Sequence, residues 1–245
     1  MELNVQEFKS ELSRVFKTNG LSQFLNIEKS EKFLKLTEIM LEENEKYNLT
    51  AITEPSKIIL NHYADCAMLA LKLPKDAKII DIGCGAGFPT LPLAIIREDL
   101  SITAMDSTAK RVLYVASTAE LLGLTNVTAV TMRAEDGGKS QEYREKFDFA
   151  TARAVAELRV LTELCLPYVK VGGKMIAMKG KNAEFELSGA KRAIAILGGA
   201  NSKIENIALV GGEEVFSHPL ITVEKKAKTP ATYPRPYAQI SKKPL

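Results

Sequence analysis

Hydrophobic positions in the first 75 residues recur at the spacing of amphipathic helices. The first stripe, with an i, i+4, i+7, i+8 spacing, consists of Phe8, Leu12, Val15 and Phe16. A second amphipathic segment is SEKFLKLTEIMLEENEKY, and a third helix is expected near Pro55, with Thr53 as its cap. The expected inner face of the third helix holds Ile58, Ile59, Tyr63 and Cys66. The pattern therefore predicts an N-terminal helical region over residues 1–75.

The pattern changes at Lys78, where short apolar runs begin to alternate with helical stretches. The runs are KIIDIG, SITAMDS, VTAVTMR, FDFATAR and GGKMIAMKG, and the helical stretches lie near residues 89–98, 109–122, 155–169 and 183–197. Alternation at this spacing predicts an α/β fold with a parallel sheet covered by helices. KIENIALV and PLITVEKK then follow each other without a helix, so this region, residues 76–223, is expected to end in an antiparallel pair.

The last segment, residues 224–245, differs in composition from the rest of the chain. It holds six Lys or Arg residues against one acidic residue, and four of the ten prolines. Prolines favour an extended path, and the basic charge suits contact with an acidic surface. The segment is therefore expected to be either a contact arm or a solvated tail, and composition does not decide between them.

Overall composition is that of an ordinary globular protein, with 46% hydrophobic residues, 26% charged residues and a net charge of +3. Cys66, Cys84 and Cys165 form no C-x-x-C pair, which favours reduced thiols in a cytoplasm. His62 and His218 are too few for an expected zinc site. The longest apolar run, LPLAII, is far shorter than the roughly 20 residues of a membrane helix. We therefore expect neither a metal nor a membrane partner.

A glycine-rich turn, DIGCGAGF over residues 81–88, follows the first predicted strand. Its glycine spacing is G-x-G-x-G, not the G-x-G-x-x-G of dinucleotide sites, and the bulky Phe88 stands at the sixth position. Asp81 closes the strand and is expected to face the ligand. A carboxylate there disfavours a pyrophosphate and favours a cation.

A second carboxylate, Asp106, ends the next predicted strand, about 20 residues further on. An acidic residue at that place can hold two ribose hydroxyls. S-adenosylmethionine has a ribose, a sulfonium and an ammonium, and no phosphate. The turn, with Gly83 and Gly85 beside the ligand, together with Asp106 therefore predicts S-adenosylmethionine as the cofactor. The alternative is a tight turn with packing glycines and an aspartate that caps a helix.

The chain resembles the bacterial 16S ribosomal RNA guanine-N7 methyltransferases. The matching stretches are YNLTAI, HYADC, DIGCGAGFPTLPLAI, DSTAKR, RAED, ATARAVAEL, MKG and TYPR with KKPL. The resemblance implies a Rossmann-like class I methyltransferase sheet with an N-terminal helical extension. It also implies methylation of N7 of one guanine, 16S ribosomal RNA or the small ribosomal subunit as partner, and a cytoplasmic protein, which we expect to be a monomer.

The resemblance also implies the cofactor residues by their positions. They are Gly83 and Phe88 in the glycine turn, Ala134 and Glu135 after the third strand, and Arg153 after the fourth. Ala134, through its backbone, and Glu135 would flank the adenine. At Thr90 the family more often has glycine, and at Cys84 it more often has serine.

Guanine N7 has a free lone pair, so its methylation needs no general base. The N/D-P-P-Y/F turn typical of exocyclic amine methylation is absent from TARAVAEL, and Cys165 is expected in the core. Arg153 is a candidate for orienting the guanine through O6, while Lys179 and Arg235 are candidates for RNA contacts. His62 is expected to be an ordinary helix histidine. Two other functions stay open: a methyltransferase of small molecules or proteins, and a non-enzymatic RNA-binding module.

Overall fold

The computed structural model describes residues 3–212 and 214–245. Within these ranges, seven strands form one sheet in the order β3-β2-β1-β4-β5-β7-β6. The strands are β1 Lys78–Ile82, β2 Ser101–Asp106, β3 Val127–Thr131, β4 Phe147–Arg153, β5 Val169–Met178, β6 Gly199–Gly211 and β7 Glu214–Lys225. The first five pair in parallel, whereas β7 pairs antiparallel with both β5 and β6. The predicted mostly parallel sheet with an antiparallel end is confirmed.

Helices lie on both faces of this sheet, and several of them come before the first strand in the chain. The longer ones are α1 Val5–Thr18, α2 Ile27–Tyr47, α6 Ala109–Leu121, α8 Leu158–Cys165 and α9 Ala183–Ile196. The shorter ones are α3 Pro55–Ile58, α4 Asp65–Ala70, α5 Thr90–Ile96, α7 Ala134–Gly137 and α10 Tyr237–Lys242. A π-helical turn, Ile59–Ala64, joins α3 to α4 without a break. Short 3-10 turns cover Ser22–Phe24 and Leu166–Tyr168.

Strand β1 is buried on both faces, and its side chains divide between two hydrophobic cores. Ile79 packs with the N-terminal helices, whereas Ile80 and Ile82 pack with residues of α8 and α9 on the other face. Alternate side chains of a strand point to opposite faces, which produces this division. The predicted boundary between residues 75 and 76 falls between α4 and β1, yet the N-terminal helices share one continuous core with the sheet.

Asparagine residues cap the start of α1 and the end of α2. Asn4 accepts a hydrogen bond from the Glu7 N–H at the start of α1, and Asn48 adopts a left-handed conformation (φ 49°) after α2. The third helix begins at Pro55 as predicted, but its cap is Glu54 and not Thr53. The expected inner face of this helix is confirmed, since Ile58, Ile59, Tyr63 and Cys66 are all fully buried.

Residues 224–245 fold back onto the sheet, which corrects the expected extended path. Strand β7 continues to Lys225, whose fully buried amine donates hydrogen bonds to the Leu166 carbonyl (2.7 Å) and to Thr229. Burial lowers the pKa of Lys225 to about 8. Further along, α10 buries Ile240 in the same core as α8 and α9. Charge composition therefore did not predict the path of this segment.

Candidate functional site

The turn after β1 depends on glycine because its backbone is left-handed at three places. The φ angles are 72° at Gly83, 53° at Gly85 and 81° at Gly87, a region that other residues rarely adopt. A Cβ at Gly83 would also lie 2.8 Å from a methyl group of Val155, which follows β4. The glycines therefore let two strand-end loops approach each other closely.

Asp106, at the end of β2, fixes this turn from the neighbouring strand. Its Oδ2 accepts from the Gly85 N–H at 3.1 Å, and its Oδ1 accepts from the Thr108 N–H at 2.8 Å. The side chain is 5% exposed, with Arg111 Nη1 3.7 Å from Oδ2. Because each carboxylate oxygen has two lone pairs, both oxygens can still accept from a ligand hydroxyl.

The turn and Asp106 line a cavity of about 570 Å³. This volume falls within the roughly 300–1,000 Å³ typical of small-molecule sites. The structure brings all the predicted cofactor residues together around this cavity: Gly83, Gly85, Phe88, Asp106, Ala134, Glu135 and Arg153. Contact of each residue with a cofactor stays a prediction.

The far wall of this first cavity comes from the loop after β3 and the start of α7. The Ala134 carbonyl accepts a hydrogen bond from the buried Tyr168 hydroxyl at 2.6 Å, which holds this backbone in place. Glu135 is 12% exposed, and its carboxylate lies 3.8 Å from Arg133. Tyr237 of α10 also lines the cavity, a contribution that the sequence did not indicate.

Asp81 does not face the cavity, which corrects the prediction for this residue. It is 1% exposed and is not among the described residues of the lining. Its Oδ2 accepts from the Thr90 hydroxyl at 2.7 Å, and burial raises its pKa to about 7. Thr90 thus gives this buried carboxyl a hydrogen-bond donor.

His62 belongs to the site, although the sequence predicted an ordinary helix residue. It lies in the π-helical turn and stacks on Phe88, with ring centroids 4.4 Å apart and planes 24° apart. Burial, followed by the charge of Arg153, lowers the pKa of His62 to about 3, so its ring is neutral. Arg153 can only donate, so His62 Nδ1 accepts from it and Nε2 donates to the Thr50 hydroxyl at 3.3 Å.

Arg153 stands between the first cavity and a second, smaller one. Its guanidinium lies 5.5 Å from the Phe88 ring centroid, and its Nη1 donates to the Asn61 carbonyl (3.2 Å) and Asp65 Oδ2 (3.4 Å). The second cavity measures about 270 Å³. Its lining includes Ile52, Asn61, Asp65, Arg153, Ala154, Lys179, Phe216 and His218.

The two predicted RNA contacts already have partners within the protein. Lys179 is almost buried, donates to the Ala156 carbonyl at 2.8 Å and pairs with Glu186 at 2.7 Å. Arg235 lies outside the linings of both cavities and pairs at 2.6 Å with Glu163, which is fully buried. RNA contact at either residue stays a prediction.

The cysteines are unsuited to nucleophilic chemistry. Cys66, Cys84 and Cys165 are free and buried, and burial raises the pKa of each thiol. The expected core position of Cys165 is confirmed. Across residues 3–212 and 214–245, no cluster of His, Cys, Asp and Glu is suited to a metal ion. In the same ranges, no helix is long and apolar enough to cross a membrane.

Comparison with known proteins gives one family and one fold class. The model of the family described as "rRNA small subunit methyltransferase G" matches residues 29–212. A protein of Clostridium perfringens (strain 13 / Type A) named "Ribosomal RNA small subunit methyltransferase G" is 46% identical, over 90% of this chain and 92% of its own. A protein of the same name from Brevibacillus brevis is 42% identical, over 97% of this chain and 99% of its own.

Solved structures share the fold at low sequence identity. A SAM-dependent O-methyltransferase from Thermotoga maritima superposes with a TM-score of 0.53 and 16% identity, covering 77% of this chain and 72% of its own. A tRNA (m1A58) methyltransferase from Aquifex aeolicus also gives 0.53, with 17% identity over 79% and 76% of the two chains. These likenesses bear on the fold alone.

Proposed function

Because the chain belongs to the family described as rRNA small subunit methyltransferase G, we propose that it methylates N7 of one guanine in 16S ribosomal RNA. The chain is a methyltransferase, and its cofactor is S-adenosylmethionine. The guanine assignment rests on the family match, and the structural observation that supports it is one cavity around which all the predicted cofactor residues meet. The proposal also expects a cytoplasmic monomer that acts on free ribosomal RNA or on the small subunit.

The residues of the first cavity fit the cofactor chemically. Asp106 would accept from the ribose hydroxyls, and Ala134 and Glu135 would flank the adenine. The lining holds the carboxylates of Asp106 and Glu135 beside Arg111, Arg133 and Arg153, so the fit to the cofactor rests on the placement of its acceptors and not on net charge. When bound, the cofactor supplies a methyl group already activated by its sulfonium.

The arrangement suits an acceptor that needs no deprotonation. N7 of guanine attacks with its lone pair, and the positive charge passes to the purine ring. The neutral, buried His62 and the buried thiols are not required as bases. The task left to the protein is to hold the base in line and to exclude water. A non-enzymatic RNA-binding module would be expected to lose Asp106 or the glycine turn, and both are intact.

Phosphate contacts at Lys179 and Arg235 are part of the proposal. Lys179 already pairs with Glu186, and Arg235 with Glu163. A bound phosphate would therefore share each cation with its carboxylate. Filter binding of 16S ribosomal RNA across a salt series tests each contact. Removing one phosphate contact, for example with Arg235→Gln, is expected to reduce the slope of log affinity against log salt by about 0.7–0.9. An unchanged slope would remove that residue from the RNA surface.

The central test is to map the methyl group. The protein is incubated with labelled S-adenosylmethionine and with 16S ribosomal RNA, or small subunits, that lack the modification. We expect one labelled guanine, and no label when that guanine is replaced by 7-deazaguanine, which has no N7. Label on any other base, or label retained on the 7-deaza substrate, would refute the proposal.

A further inference from the structure

The second cavity is placed to hold a group that reacts in the first. The two cavities share Arg153 and Ala154, at the end of β4. At about 270 Å³ the second cavity lies just below the range typical of drug-sized ligands, which suits a single nucleobase. Its other polar walls come from the π-helical turn and α4, with Asn61 and Asp65, and from β7, with His218.

Three buried polar atoms of this cavity's residues have no hydrogen-bond partner among the described residues. They are Asn61 Oδ1, Asp65 Oδ1 and His218 Nδ1. Asp65 is 1% exposed, and its Oδ1 lies 3.3 Å from His218 Nδ1 without the alignment of a hydrogen bond. Buried polar atoms are normally satisfied. The two oxygens, Asn61 Oδ1 and Asp65 Oδ1, accept hydrogen bonds, so they indicate a ligand that donates them.

We propose that this cavity receives the target guanine and that Asp65 selects it by accepting from N1–H and the N2 amino group. The inference rests on the proposed function. On its Watson–Crick edge guanine carries three adjacent N–H hydrogens, one on N1 and two on N2. Adenine has an unprotonated N1 there, whose lone pair would face the Asp65 carboxylate. A buried carboxylate left without its donor is costly, so the cavity discriminates against adenine.

The same placement turns N7 toward the first cavity. Around the guanine ring O6 lies between N1 and N7, so it falls beside Arg153, which lines both cavities. Contacts with Asn61, Asp65 and His62 use three of the five guanidinium N–H donors. Phe216 is half-buried and stacks on His218 at 5.7 Å, and it offers an aromatic face to the base. The target base leaves its RNA stack to enter.

Replacing guanine by inosine tests the inference, because inosine keeps N7, O6 and N1–H and lacks only the N2 amino group. We expect the wild-type protein to lose roughly 10- to 100-fold in kcat/KM on RNA with inosine at the mapped position. Asparagine keeps one acceptor oxygen, which can still accept from N1–H, so Asp65→Asn is expected to lose a similar factor on guanine and little more on inosine. If Asp65→Asn keeps the wild-type ratio of guanine to inosine rates, the assignment is wrong.

The controls separate this outcome from misfolding and from failure of the proposed function. Asp148→Asn makes the same exchange at the opposite end of β4 and is expected to keep the wild-type ratio of guanine to inosine rates. Calorimetry with S-adenosylmethionine and thermal unfolding report whether each variant is folded; Asn61→Ala replaces Asp65→Asn in the same comparison if the latter unfolds. Equal wild-type rates on guanine and inosine would overturn the inference and leave N7 methylation intact. Absence of N7 methylation by the wild-type protein would overturn both.

Discussion

The two cavities on either side of Arg153 are built in different ways. Most walls of the larger one follow directly after β1, β2, β3 and β4, although His62 and Tyr237 reach it from helical segments. The smaller one combines Asn61 and Asp65 of the helical region with His218 of the terminal antiparallel pair. The first therefore depends on local backbone geometry, and the second on how the helices and β7 dock onto the sheet.

On the proposed roles of the two cavities, cofactor binding and base selection can therefore be changed separately. A substitution in the glycine turn acts on the first cavity, whereas a substitution in the π-helical turn acts mainly on the second. Arg153 and His62 are the exceptions, since both link the helical region to the first cavity. Substitutions of Arg153 or His62 are therefore expected to affect both cavities.

Arg153→Ala is expected to have the largest effect, because it leaves the buried Asp65 carboxylate without its cation. Removing one partner of a buried pair typically costs about 3–5 kcal/mol, and we expect a loss of this order in the free energy of unfolding. Urea denaturation followed by circular dichroism measures it. Arg153→Lys, which keeps the charge, should lose less. An unchanged urea midpoint for Arg153→Ala would show that the pair does not stabilise the fold.

Asp106→Ala is expected to weaken S-adenosylmethionine binding and to leave the fold in place. Lost hydrogen bonds to a charged group cost roughly 1.5–3 kcal/mol each, and Asp106 also positions Gly85 through its N–H. Isothermal titration calorimetry gives the Kd. Asn61→Ala, which removes an unpartnered side chain of the other cavity, is the matched variant and should keep the wild-type Kd. Equal losses in both variants would contradict the separation of the two cavities.

Much of the first cavity could be predicted from the sequence because its residues are tied to strand ends. Carboxyl ends of parallel strands meet at one edge of a sheet, so Asp106 was expected near the glycine turn, whereas Ala134 and Glu135 were expected there from the family resemblance. Asp81 was misplaced because Ile82 continues β1 by one residue. The Asp81 side chain is therefore buried beside Thr90 and does not line the cavity.

Other features depend on contacts that no local pattern contains. A π-helical turn has more residues per turn than the α-helix assumed from periodicity, so the stacking of His62 on Phe88 was not expected. Arg235 pairs with a residue 72 positions earlier in the chain. His218 and Asp65 are brought together only by the pairing of β7 with β5.

Two buried groups are expected to have opposite effects on stability between pH 7 and pH 5. The pKa of His62 falls from 6.5 to about 3 on folding, so its contribution is present above pH 6.5 and is lost as the pH falls. The pKa of Asp81 rises from 3.8 to about 7, so its ionisation costs stability at high pH, and that cost shrinks as the pH falls from 7 toward 3.8.

Each contribution is about 2 kcal/mol over this interval, so the two nearly cancel in the wild-type protein. His62→Gln should make the free energy of unfolding rise by about 2 kcal/mol from pH 7 to pH 5, and Asp81→Asn should make it fall by a similar amount. Chemical denaturation at the two pH values measures both. Parallel pH profiles for the two variants would refute the assignment.

Cys84→Ser is expected to have the smallest effect. The thiol lies buried in the glycine turn, where its raised pKa disfavours the thiolate. A change of similar volume should cost under about 1.5 kcal/mol. Thermal unfolding and the methylation assay should both be close to wild type. Loss of methylation with cofactor binding retained would give the thiol a chemical role.

The position of α10 has a consequence for the order in which the protein matures. Arg235 and Tyr237 are synthesised after every strand of the described sheet, and domains begin to fold as they leave the ribosome. Until these residues emerge, Glu163 has no cation beside it and the first cavity lacks its Tyr237 wall. A segment that is synthesised after the whole described sheet therefore supplies the final wall of the first cavity.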